Sequence, residues 1–200
     1  AYDALLVDDG SGNLIHLSPN QSPFIEGELL LASAPATDEM TGLVEVDNVL
    51  YIGSADDSML LMRYDVSNSV WLTPWTVTDN VLGVVAAPTS QGTSTLLLTY
   101  EESPVVEEMD TSGNSLQTYD GTNGCYPSTA NILSTATNVD HLVLSLDSGV
   151  FVHFDRATGA CTSYDTTNGL PTSFVGDVAL VDTMAYMATE DKGVLLDRKS

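Results

Sequence analysis

Apolar residues in this chain come in short runs, each broken after a few positions by Asp, Asn, Gly, Ser or Pro. No stretch carries the three- and four-residue spacing of an amphipathic helix, so the runs predict strands and the polar breaks predict turns. Five segments repeat one arrangement: an apolar strand, a short acidic or Gly/Ser turn, a second strand, then a polar turn. They are ALLVDDGSGNLIHLSPN from Ala4, LYIGSADDSMLLMRYDVSN from Leu50, LLLTYEESPVVEEMDTSGN from Leu96, LVLSLDSGVFVHFDRATG from Leu142 and AYMATEDKGVLLDRKS from Ala185. The Asp closing the second strand falls at Asp65, Asp110, Asp155 and Asp197, and Ser18 holds that place in the first copy.

Two further strands flank these hairpins. One precedes each of the last four, at GLVEV (Gly42), VLGVVAA (Val81), NILSTAT (Asn131) and VGDVALV (Val175). Another follows each of the first four, around Phe24–Leu30, Val70–Thr76, Ser115–Tyr119 and Cys161–Tyr164. Four short strands per unit of about 40–50 residues predict an all-β fold of the β-propeller type, in one domain. A β-sandwich needs no such fixed period. The repeats run approximately over 1–30, 42–76, 81–119, 130–165 and 175–200, which makes about five four-stranded blades. The first lacks its inner strand and the last its outer one, as in an arc of a larger ring or a subunit completed by another chain. Uncovered strand edges would otherwise invite aggregation.

The stretch from Tyr164 to Arg198, YDTTNGLPTSFVGDVALVDTMAYMATEDKGVLLDR, resembles the two-component regulator propeller repeat. The resemblance rests on the Asn168-Gly169-Leu170-Pro171 joint, followed by a strand, a second strand, a Gly-containing turn and a third strand. NGCYPS at Asn123–Ser128 is a fainter echo, and Leu50-Tyr51-Ile52-Gly53-Ser54 is similar to the family's aromatic-Ile-Gly-Thr strand, with Tyr where Trp is usual. The resemblance implies an extracytoplasmic sensor or recognition module, of the kind placed before a membrane span and signalling domains.

Charge narrows the classes of partner. Five Lys and Arg against 28 Asp and Glu leave a net charge of −23. Such a chain repels a phosphate backbone, which excludes nucleic-acid binding, and it disfavours anionic membrane surfaces. No run of 18 apolar residues occurs, so no helical membrane insertion is expected. The acidity is spread along the chain, as on a solvated surface that salt screens, which points to a saline, halophilic setting outside the cell or at its surface. The chain opens at Ala1 directly in strand, as in a processed or excised segment. Cys125 and Cys161 admit one disulfide, but a joint and the start of an outer strand belong at opposite ends of the fourth blade. Two separate thiols are therefore expected.

Every turn between the second and third strands of a blade is acidic: Asp8 and Asp9, Asp56 and Asp57, Glu101 and Glu102, Asp147, and Glu190 and Asp191. In a propeller these turns share one end with the blade-to-blade joints, so they and Tyr126, in a joint, form the candidate ligand or partner face. Turn chemistry alone also favours Asp at such sites. No cofactor is expected, although Ca²⁺ or another cation could sit at the acidic turns; Asp8–Asn13 lacks the spaced ligands of an EF-hand. His16 and His153 occupy one register in distant blades and His141 starts a strand, so no metal site is expected. An enzyme is the less favoured reading. A carbohydrate-active propeller, glycosidase or lyase, needs paired carboxylates on inner strands, for which Glu45 and Asp177 are the candidates. The leading expectation is a non-enzymatic module binding a protein or glycan, and a structural subunit of a surface assembly is the third reading.

Overall fold

A computed structural model describes residues 5–8, 14–17, 28–29, 40–55, 59–101, 103–121 and 125–198; for the strands before residue 40 and for residues 197–198 it describes the backbone alone. The described residues form five antiparallel sheets in chain order and no α-helix. The first holds β1 (Leu5–Asp8), β2 (Leu14–Leu17) and β3 (Glu28–Leu29). In the second, β4 (Met40–Val46), β5 (Val49–Ser54) and β6 (Leu60–Asp65) are followed by an outer position split between β7 (Val70–Trp71) and β8 (Trp75–Thr76). The third is β9 (Val81–Pro88), β10 (Ser94–Tyr100), β11 (Val106–Met109) and β12 (Ser115–Tyr119). The fourth is β13 (Ile132–Thr137), β14 (His141–Leu146), β15 (Phe151–Asp155) and β16 (Cys161–Tyr164). The fifth is β17 (Val175–Val181), β18 (Met184–Thr189) and β19 (Gly193–Arg198).

This is the β-propeller the repeat predicts; among the described residues the first sheet shows three strands without an inner one, and the last three without an outer one. The inner strands of neighbouring sheets pack on one another, β4 on β9, β9 on β13 and β13 on β17. Three apolar layers fill the gaps between successive sheets. Tyr51 and Leu61 meet Leu96, Leu98 and Tyr100 between the second and third. Leu97, Val106 and Tyr119 meet Leu142, Leu144 and Phe154 between the third and fourth. Val143 and Phe151 meet Val178, Ala185 and Met187 between the fourth and fifth. Strands covered on both faces lose alternation, and β10 is buried from Thr95 to Tyr100.

Local chemistry explains the repeat. Each inner strand carries a bulge at its start, between Met40 and Gly42, Val81 and Gly83, Ile132 and Ser134, and Val175 and Asp177. At the second of these, close approach demands glycine on the neighbour: a Cβ on Gly42 would stand 2.8 Å from the backbone nitrogen of Val84. The Asp at the end of each third strand folds the next turn. Asp65 accepts from the backbone N–H and side-chain amide of Asn68, Asp110 from those of Asn114, and Asp155 from the N–H and hydroxyl of Thr158. These bonds hold all three carboxyls below the usual range. The fifth copy departs from the predicted series. Counted from the bulge, Arg198, paired with Met184, takes the slot that Asp155 holds opposite His141, and Asp197 lies one residue earlier, opposite Ala185. The predicted outer strand at Val70–Thr76 is interrupted because residues 72–74 include Pro74, which has no N–H to give to β6.

Candidate functional site

The joints and the turns between second and third strands do meet at one end of the propeller. In the third sheet the Asn80 amide donates to the Glu101 carboxylate at 3.2 Å. In the fourth, Asn131 donates to both oxygens of Asp147, from its backbone N–H at 2.9 Å and its side-chain amide at 2.8 Å. In the fifth, the buried hydroxyl of Thr172 donates to Asp191 at 2.6 Å. That bond, followed by the exposed ion pair with Lys192 at 3.1 Å, keeps the Asp191 carboxyl below the usual range. In each of these three turns one carboxylate thus ties the turn to the joint preceding the same sheet's inner strand, while Glu190 stays exposed and Glu101 keeps a solvent-facing side. The turn of the fourth sheet also meets the joint leading to the fifth, where Gly149, at φ 78°, lies against the carbonyl of Ser173. Asp8 is the last residue of β1, with only its backbone described, and Asp9, Asp56, Asp57 and Glu102 lie outside the described residues.

Tyr126, read from sequence as part of this face, lies in the interior. It is 5% exposed, its ring stands edge-on to Phe154 at 6.2 Å, and its hydroxyl donates to the Pro104 carbonyl. The joint carrying it sinks between the third and fourth sheets, as Leu170 does between the fourth and fifth and Val77 between the second and third. That path corrects the expectation for the cysteines. Phe154 is the cross-strand partner of Cys161, so the descending joint brings Cys125 to it, and the two form a disulfide with Cα atoms 6.1 Å apart.

Glu45 and Asp177 are exposed and do not form a pair. Counted from the bulge, Asp177 is level with Gly42, three residues from Glu45, so the two stand at different heights and on opposite faces of their strands. Asp177 instead accepts from the Ser134 hydroxyl of the neighbouring inner strand. The N–H of Val178, beside Asp177 in the same strand, also donates to the Ser134 hydroxyl, which completes the tie between the fourth and fifth sheets.

Two polar groupings escaped the sequence reading. Glu108, in β11, reaches the Arg156 guanidinium of the next sheet at 2.5 Å, both side chains nearly enclosed. Thr95 and Tyr119 donate to the same carboxylate at 2.6 and 2.7 Å, and Arg156 also donates to the carbonyls of Pro88 and Asn138. Burial alone would raise the Glu108 pKa, but the bonds from Thr95, Tyr119 and Arg156, with the cation's charge, outweigh it and hold the carboxyl below its usual range. Burial and the bond to Glu108 push the Tyr119 phenol up to about 12. The second grouping is His141 and His153, diagonal neighbours on β14 and β15, whose Nδ1 and Nε2 lie 3.0 Å apart. Among the described residues no cluster of three or more His, Cys, Asp or Glu could hold a metal ion.

Two clefts lie at the end opposite the acidic turns, and one lies on the joint side. One of about 380 Å³ is lined by Asp47, Thr89, Gln91, Thr93 and Asp110, and one of about 330 Å³ by Ser90, Gln117, Asp140 and Arg156, both at the opposite end. A third, of about 260 Å³, lies between the fourth and fifth sheets beside Tyr164, Leu170 and Met187.

No protein-family model and no curated protein matches the chain. Solved structures do match. The computationally designed Ika8 protein is 14% identical with a TM-score of 0.71, covering 97% of this chain, which spans 55% of Ika8. The designed Ika4 protein is 16% identical at a TM-score of 0.66, with 86% of this chain and 98% of Ika4 covered. The WD40 domain of Neurospora crassa Pan2 is 12% identical at a TM-score of 0.66, with 98% of this chain and 60% of that one covered. At these identities the likeness is one of fold, and the fold is a β-propeller.

Proposed function

We propose that this propeller is a non-enzymatic recognition module, working in saline surroundings outside the cytoplasm, that binds a basic segment of a protein partner at its acidic end. The observation that carries this is the alignment of carboxylates at successive turns, on a frame whose joints are already fixed by Asn80, Asn131 and Thr172. A pre-set row of like charges steers and selects a cationic partner without paying to order itself. The net charge of −23 supports a salt-screened setting, and the Cys125–Cys161 disulfide supports an oxidising one. The resemblance of residues 164–198 to regulator propeller repeats supports a sensor role, with the signalling domains elsewhere. A glycan partner and a Ca²⁺ ion at the turns are the competing occupants.

Calorimetric titration with a lysine-rich peptide tests the proposal. Binding should weaken steeply with salt, and Glu101→Gln with Glu190→Gln should lower affinity about tenfold. Equal binding by the double variant, or none by the wild type, overturns it.

A further inference from the structure

We propose that His141 and His153 bind a divalent cation of the copper(II) class through two imidazole nitrogens, at the end of the propeller opposite the acidic turns. The chain has three histidines, and two of them meet here. The hairpin of β14 and β15 brings them together. His141 pairs with Asp155 and Val143 with His153, so all four residues share one face of the fourth sheet. That face packs on the fifth sheet through Val143 and Ala136. His153 is 7% exposed and His141 is half-buried, so the pair opens to solvent on the His141 side. The expectation of no metal came from setting His153 against His16 in a distant blade, whereas the partner stands on the adjacent strand.

The geometry selects the ion. Nδ1 of His141 and Nε2 of His153 are 3.0 Å apart. With each nitrogen about 2.0–2.1 Å from a shared ion, that separation sets an angle of about 90–97° at the ion. Adjacent corners of a tetragonal copper(II) or nickel(II) site subtend such an angle, whereas the tetrahedron that zinc prefers is wider. The ring centroids are 4.8 Å apart, with the planes inclined at 50°. Nitrogens meeting head-on at 3.0 Å would hold the centroids farther apart, so the rings lean off the line joining them. That lean weakens an N–H···N bond but suits two lone pairs directed at one ion beside them. Asp155, directly across from His141, brings a carboxylate to the same face, which favours a cation there. Two imidazoles leave the remaining corners to water, and copper(II) binds such nitrogens more tightly than the other first-row divalent ions do.

Calorimetric titration of the 200-residue chain with Cu²⁺ alone, in excess Ca²⁺, tests the proposal. Calcium takes oxygen ligands, so it occupies surface carboxylates and leaves the imidazoles free. One Cu²⁺ per chain should still bind, and pulsed paramagnetic resonance should show two imidazole nitrogens on it. His141→Gln, at the half-buried position, should weaken binding by more than about tenfold and remove one nitrogen, since groups merely supporting a ligand are already worth about 10–100-fold. His153→Gln should do the same, and His16→Gln should change neither reading. If the buried His153→Gln variant unfolds, His141→Gln and the wild-type nitrogen signature decide. No Cu²⁺ bound in excess Ca²⁺ overturns the proposal, as does a bound ion without imidazole nitrogens or unchanged binding by the folded His141→Gln variant.

Discussion

The junction of the third and fourth sheets and that of the fourth and fifth are built on the same apolar plan but fastened by different means. The first contains a desolvated ion pair, Glu108 with Arg156, a disulfide, and a tyrosine lowered into the gap. The second is held by a smaller apolar layer and by hydrogen bonds at exposed positions, Ser134 to Asp177 and Asn138 to the carbonyl of Asp182. Strength therefore depends on where polar groups are dry. A charge-assisted bond excluded from water loses far more when one partner is removed than an exposed one does. Proteins open locally in proportion to such differences, so the fifth sheet should exchange its amides before the fourth.

The largest break in this contrast should come from Arg156→Ala, which strands the Glu108 carboxylate in the interior. It should cost about 3–5 kcal/mol in urea unfolding. Next is Cys125→Ser, which frees a loop of 36 residues and should cost about 2–4 kcal/mol on the same measure. Acid provides a third handle. The folded pKa of Glu108 lies below its unfolded value, so its contribution is complete above about pH 4.3 and disappears as pH falls through that value toward the folded one. Thermal melts from pH 7 to pH 3 should show this loss, and Glu108→Gln should flatten the profile. The smallest effect belongs to the outer junction: Asp177→Asn should cost about 1 kcal/mol or less, because water replaces the Ser134 contact. A loss at Asp177 as large as that at Arg156 would erase the distinction between the junctions.

The four-strand period, the incomplete first and last sheets and the shared end of turns and joints were legible because each follows from local alternation and turn chemistry. The recurring Asp at 65, 110 and 155 was legible as punctuation, and the structure adds that each carboxylate caps the turn that follows. What escaped depended on paths and partners. Sequence puts Tyr126 on the partner face and Cys125 at the far end of the blade from Cys161 because a joint rich in Gly and Pro reads as an exposed loop, yet this one descends between sheets. Glu108 and Arg156 lie 48 residues apart, and nothing in either strand's pattern announces the other. The histidine pair could have been found. His153 invites comparison with His16 three repeats away, whereas the hairpin itself places His141 diagonally across from it. The candidate carboxylates at the inner strands failed for a geometric reason, since the bulge sets the height of Asp177 level with Gly42 and not with Glu45.

The bridge between Cys125 and Cys161 encloses β13, β14 and β15 within one covalent loop. A protease that cuts the exposed turn at Asp147 and Ser148 would therefore release nothing. The nicked chain would keep its full mass until a reductant is added, and only then part into two fragments. Outside a reducing compartment, a single cleavage on this blade would leave its three inner strands tethered and still packed on the neighbouring sheets.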